Sequence, residues 1–150
     1  MPRHWVLNCK SKAFDFESAL NNEIIQNEGM TWKISQEHKL IQPGDIYFLY
    51  AGVPHQAIVA CGIIVEGVML QECDTNSSVY WRDHEKGKIA PRIYISIGHI
   101  FDPYVKSSEI NPEGTEKHEL VPLGQQGSNK QISPSTVSYT HLTLPTILLV

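Results

Sequence analysis

Two stretches of this chain alternate apolar and polar positions with a period of two, the mark of a half-buried strand. In "MTWKIS" (30–35), Met30, Trp32 and Ile34 fall on one side and Thr31, Lys33 and Ser35 on the other. In "PRIYISIGHIF" (91–101), Ile93, Ile95, Ile97 and His99 share a side opposite Tyr94, Ser96, Gly98 and Ile100. "HWVLNC" (4–9) has the aromatic and branched content of another strand. "IYFLYAG" (46–52) and "AIVACGIIVEGVML" (57–70) are apolar almost throughout, and the short "GVPHQ" between them predicts a hairpin buried on both faces. Ala60, Gly62 and Gly67 in the second arm are small residues of the kind used where a sheet bends sharply.

The helical signals are shorter. "FDFESALNNEIIQ" (14–26) places Phe16, Leu20 and Ile24 at helical spacing, with Asp15 as the expected N-cap. "QEHKLI" (36–41) predicts one helical turn, and Pro43 and Gly44 then supply a tight turn in which Asp45 accepts backbone hydrogen bonds. "ECDTNSSVYWRDHEKGKIA" (72–90) reads as a polar surface excursion, and beyond "DPYVKSSEI" short apolar groups are separated by Pro and Gly. Together these elements predict a small curved α+β sheet or barrel.

A length of 150 residues fits one domain with a self-sufficient core. With 41% hydrophobic and 19% charged residues, the chain has no apolar run near the roughly 18 residues that a bilayer crossing needs. The start "MPRHWVLNCK" lacks the apolar core of a signal peptide, so a cytoplasmic location is expected. Cys9, Cys61 and Cys73 lack zinc-site spacing and are expected to be reduced thiols, and the seven histidines form no ligand pair. Neither metal nor cofactor is expected. A net charge of −4 excludes nucleic-acid binding by a broad basic face, so such a partner would have to be gripped locally. No GxSxG, P-loop or HExxH motif occurs, and the acidic groups read as caps and surface, so no enzyme is expected.

The ordered set "HWVLNCKSKAFD", "MTWKISQ", "LIQPGDIYFLYAG" and "AIVACGIIVEG" resembles the EVE domain, a PUA-like module related to YTH readers of modified RNA. The likeness covers roughly residues 3–120 and is nearest to EVE-like modules that stand alone or are fused to nucleases of restriction systems. It implies an α+β, PUA-like mixed β-barrel of five or six strands flanked by short helices. It also implies a non-enzymatic module that captures a flipped, modified base, such as a methylated one, in DNA or RNA, with a nuclease or other defence-system protein as a further partner. On this pattern Trp32 forms one wall of the base pocket, and Lys33, Ile34 and Ser35 meet the base edge. Tyr50, Ala51 and Gly52 border the pocket, and Asn8 and Cys9 close its far side. Lys10, Lys12 and Lys39, together with Lys33, make a local rim for phosphates.

The segment "WKISQEH" is shorter than its family counterpart and lacks an Arg-Asn pair, which leaves the base preference open. With the net charge, this keeps a second reading in play: a PUA-like interaction or small-metabolite module without nucleic-acid binding. Trp5, Tyr47, Phe48 and Cys61 are expected in the core, and His55 in solvent. Trp81, in "VYWRDHEK", either touches a partner or anchors its own loop. The domain is expected over 1–136. "VSYTHLTLPTILLV" (137–150) resembles read-through of adaptor DNA and is expected to be a non-native tail.

Overall fold

The computed structural model describes residues 2–34, 38–82, 88–110 and 129–132. The first strand, β1 (His4–Cys9), lies parallel to β3 (Ile46–Ala51), in register from His4↔Ile46 to Cys9↔Ala51. Asp45, on the turn that delivers β3, fixes that register. Its carboxylate accepts from the Arg3 backbone N–H at 3.0 Å, the Trp5 indole Nε1 at 2.9 Å and the Gln42 N–H at 3.1 Å. The expected turn aspartate is therefore also the bolt between the first two neighbouring strands.

A hairpin joins β3 to β4 (Ala57–Gln71). The second strand, β2 (Met30–Lys33), pairs antiparallel with β5 (Ala90–Ile95), and β5 continues into β6 (His99–Lys106) after a break at 96–98. Both β5 and β6 run antiparallel to β4, β5 along Ile64–Gln71 and β6 along Ala57–Cys61. The pair must bend where the two halves meet. A Cβ on Gly62 would lie 2.2 Å from the Ser96 carbonyl oxygen and 2.9 Å from Tyr47 Cε1, so only glycine lets the backbones pass. A last strand, β7 (Asn129–Ile132), pairs with β1. The sheet reads β2-β5-β4-β3-β1-β7 with β6 beside β4, seven described strands against the five or six expected. The excess arises because residues 91–101 divide between β5 and β6 and β7 adds an edge.

The expected 14–26 helix is two helices, α1 (Phe16–Leu20) and α2 (Glu23–Glu28). Asp15 caps the first through Ser18 N–H, as expected, but Asn22 caps a second start through Ile24 and Ile25 N–H. The restart rotates the buried face by one residue: Ile25 is fully buried and Ile24 is 48% exposed. At the end of α2, Gly29 has φ +81, and a Cβ there would lie 2.2 Å from the Ile95 carbonyl oxygen. The expected single turn is a 3-10 helix at His38–Leu40. Two further short helices are α3 (Thr75–Ser78) and α4 (Ser107–Ile110).

Alternation along β1 and β3 sorts the interior into two clusters. Trp5, Leu7, Cys9, Tyr47, Leu49 and Ala51 face the larger one, which includes Met30, Trp32, Ile34, Ile93 and Ile95. Val6, Phe48 and Tyr50 face the smaller one with Ile58, Cys61 and Phe101. Trp5, Tyr47, Phe48 and Cys61 are core residues, as the sequence predicts. Burial of the hairpin on both faces holds only to Cys61; farther along β4, Ile63, Val65, Met69 and Leu70 are exposed. His55 is only partly solvated, its side chain 24% exposed: the ring packs edge-on to Phe16 and Tyr104, and Nε2 lies 3.1 Å from Glu17.

Candidate functional site

Three aromatic rings from distant parts of the sequence meet inside the larger cluster. Phe14 stands edge-on to Trp32 at 5.3 Å between ring centroids, Phe14 and Trp81 are 4.5 Å apart, and Trp32 and Trp81 are 5.5 Å apart. Backbone bonds hold the arrangement: Asp15 N–H donates to Tyr80 at 2.9 Å and Arg82 N–H to Ala13 at 2.9 Å, flanking a bridge between Phe14 and Trp81. From the other side, Asp74 caps α3 through Ser77 and takes Thr31 N–H at 2.9 Å and Thr31 Oγ1 at 2.8 Å. Thr31 thus ties β2 to the segment that carries Trp81.

All three rings are buried, Trp32 completely. The two indoles differ from Trp5 in one respect that matters energetically. Trp5 Nε1 donates to Asp45, whereas Nε1 of Trp32 and Nε1 of Trp81 are enclosed without an acceptor among the described residues. A buried donor left unmade costs about 1–3 kcal/mol, so two in adjacent rings represent about 2–6 kcal/mol that a suitable acceptor would recover. The chain continuing from each indole, at 35–37 and 83–87, falls outside the described residues.

Of the sequence-predicted set, Trp32, Ile34, Cys9 and Ala51 come together in the larger cluster. Gly52 follows β3, its N–H donating to the Cys9 carbonyl at 3.0 Å. Lys33 is half-buried and in register with Arg92, so it projects from the opposite side of β2 from Trp32. Ser35 lies outside the described residues. Tyr50 and Asn8 do not join Trp32: they pair with each other in the β1–β3 register, and Tyr50 belongs to the smaller cluster. The reason is the two-residue period, which turns them away from Trp5, Leu7, Tyr47 and Leu49. Lys10 and Lys12 are exposed on the turn before Phe14, and Arg82 Nε donates to the Lys12 carbonyl at 3.3 Å, beside Trp81. Lys39 is exposed on the 3-10 turn, whose Leu40 carbonyl takes Arg3 Nη1 at 2.8 Å. The sequence reading passed over Phe14 and left Trp81 between two roles, although a Tyr-Trp pair within a polar loop was the available signal.

The nucleophile inventory is quiet. Burial pushes the Cys61 thiol up to about 12 and the Cys9 thiol higher still, so both stay protonated. Cys73 is also raised by burial, partly offset by hydrogen bonds from Ser77 and Thr31. Among the described residues, no group of three His, Cys, Asp or Glu could hold a metal, and no helix is long and apolar enough to cross a membrane.

No family model and no curated protein matches the chain. Solved structures do. The human THYN1 protein in complex with 5-methylcytosine-containing DNA superposes with a TM-score of 0.58 at 11% identity, over 92% of this chain and 95% of its own. ASCH from Zymomonas mobilis gives 0.53 at 11% identity over 94% and 96%, and the YTH domain-containing protein mmi1 with RNA gives 0.51 at 11% over 95% and 81%. Likeness at such identities shows the fold alone: a small mixed α+β, PUA-like fold of the kind these three structures share.

Proposed function

We propose that this chain is an EVE-type nucleic-acid-binding module that takes up one modified base, flipped from DNA or RNA, against the Trp32 indole, with no catalytic step. The observation that carries the reading is the pair of enclosed indole N–H groups of Trp32 and Trp81, in one aromatic cluster and without an acceptor among the described residues. Two of the neighbours in fold, THYN1 and mmi1, are complexes with 5-methylcytosine-containing DNA and with RNA, which supports a nucleic-acid ligand. In this reading Trp32 and Trp81 are the aromatic walls, Ile34 and Ser35 meet the base edge, and Cys9, Ala51 and Gly52 close the far side, while Lys33, on the opposite side of β2 from Trp32, stays outside the pocket. Lys10, Lys12 and Lys39 take phosphates. Tyr50 and Asn8 stay outside the pocket because they face the other cluster. A nuclease or other defence-system protein is the further partner.

The energies are compatible. Extruding a base costs a few kcal/mol, stacking on one ring returns about 1–3, and each satisfied indole N–H returns a further 1–3. Burial of one methyl group adds only about 0.8 kcal/mol, a preference of about fourfold for the methylated base unless the walls fit it closely.

The test titrates short oligonucleotides, DNA and RNA, with and without methylated bases, against the wild type, Trp32→Ala and Trp81→Phe. Tighter binding of a methylated strand, weakened by both substitutions, is the expected result. Equal, negligible binding throughout would remove the proposal. The second reading, an interaction or small-metabolite module, is favoured by the complete burial of Trp32 against the protein's own Phe14 and Trp81. It gains if nucleic acid never binds.

A further inference from the structure

Another unmade contact among the described residues lies on the other side of β2–β5. Arg92 is completely buried, yet no carboxylate among the described residues pairs with it. Its guanidinium is half used. Nε donates to the Gln71 carbonyl at 3.1 Å and Nη2 to the Lys88 carbonyl at 3.2 Å, while Nη1 is enclosed with no acceptor among the described residues. The nearby Asp74 carboxylate is already engaged by Thr31 and Ser77. Removing an arginine from water costs several kcal/mol that two neutral carbonyls offset only in part.

The surroundings suit an anion. Lys33 sits directly across the β2–β5 register from Arg92. Lys88, whose carbonyl holds Nη2, and Ile89 beside it are exposed, so the guanidinium lies one layer beneath the surface at that point. A planar fork with a spare nitrogen matches an oxyanion better than a lysine would.

We propose that Arg92 Nη1 is the anchor of an oxyanion site of phosphate type on the outer face of β2–β5, separate from the aromatic cluster. Where the phosphate belongs to a nucleic-acid backbone, the proposal rests on the nucleic-acid reading above; binding of free phosphate does not need that reading. The site is distinct from the lysine rim, because its cation is buried and fixed at two points by the backbone.

The probes are inorganic phosphate, against chloride at equal ionic strength, and a short methylated duplex, applied to the wild type, Arg92→Met and Trp32→Phe. At ten times its dissociation constant, phosphate is expected to raise the wild-type Tm by about 3 °C, and the duplex-binding salt slope is expected to fall by about 0.9 in Arg92→Met. Trp32→Phe should keep the phosphate response while losing affinity for the base, which separates failure here from failure of the pocket. A lost phosphate response in Arg92→Met supports the site for free phosphate, and a reduced salt slope alone supports a backbone phosphate. If Arg92→Met does not fold, side-chain guanidinium NMR of the wild type decides: an Arg92 signal moved by phosphate or duplex supports the site. The proposal is overturned if neither probe acts through Arg92, that is, if both responses are absent or survive unchanged in Arg92→Met, or if the guanidinium signal stays still.

Discussion

Replacing Asp45 with Asn tests the bolt between β1 and β3 without changing its size. The carboxylate accepts three N–H donors through two oxygens: Arg3 on Oδ1, and Trp5 and Gln42 on Oδ2. An amide has one oxygen. Its better orientation keeps Trp5 and Gln42 and turns an NH2 toward the Arg3 N–H, so one bond to a charged acceptor is lost, at about 1.5–3 kcal/mol. The two surviving bonds lose their charge assistance, at about 0.5 kcal/mol each, since bonds to ions are roughly twice as strong as neutral ones. The sum is about 2.5–4 kcal/mol, or a fall in Tm of about 5–16 °C for a chain of this size. Urea unfolding followed by circular dichroism measures it, with an unchanged m-value showing that the folded state keeps its compactness. A cycle with Trp5→Phe should return a coupling of about 1 kcal/mol or more. Destabilisation below 1 kcal/mol at constant m would refute the assignment of Asp45 as the bolt.

The other predictions concern the bend, the thiols and the indoles. Gly62→Ala forces a Cβ to within 2.2 Å of the Ser96 carbonyl and should cost more than 3 kcal/mol or prevent folding, as judged from soluble yield and thermal melts. Cys9 and Cys61 have folded pKa values above their ordinary 9.0, so the unfolded chain loses these protons first; stability should be flat below pH 9 and decline between pH 9 and 12, with a shallower decline in Cys61→Ala. Native protein at pH 8 should alkylate at Cys73 before Cys9 or Cys61, read by mass spectrometry of digests. Trp5→Phe should destabilise the free protein by about 1–2 kcal/mol more than Trp32→Phe or Trp81→Phe, because only Trp5 loses a satisfied donor while the other two shed an unmade one.

Much of the fold was legible because it depends on local chemistry. The alternation of Met30, Trp32 and Ile34 placed all three inside, and Pro43-Gly44-Asp45 announced a turn whose aspartate captures N–H groups. Elements decided by distant contacts were not legible. Phe16, Leu20 and Ile24 fit one helical stripe, but Asn22 caps better than it propagates, and the restart buried Ile25 instead. The family resemblance put Asn8 and Tyr50 at the pocket, yet nothing local says which face of β1–β3 will meet β2. That depends on the β2-β5-β4-β3-β1 order and on the bend at Gly62. Trp81 looked like a loop residue because its partners, Phe14 and Trp32, lie 67 and 49 positions earlier.

The three enclosed donors that lack acceptors among the described residues argue for function more strongly than the rings do. Aromatic residues gather in any core, where their area alone accounts for them. A sequence selected only for stability would carry phenylalanine at 32 and 81 and an aliphatic side chain at 92, each removing a desolvated N–H at little cost in volume. The same chain shows that it can satisfy an indole: Asp45 does so for Trp5. Donors left unmade at Trp32, Trp81 and Arg92 lower the stability of the free protein, and under the proposed function a ligand bearing hydrogen-bond acceptors and negative charge would restore it. The nucleotide of the proposed function carries both, on its base edge and on its phosphate.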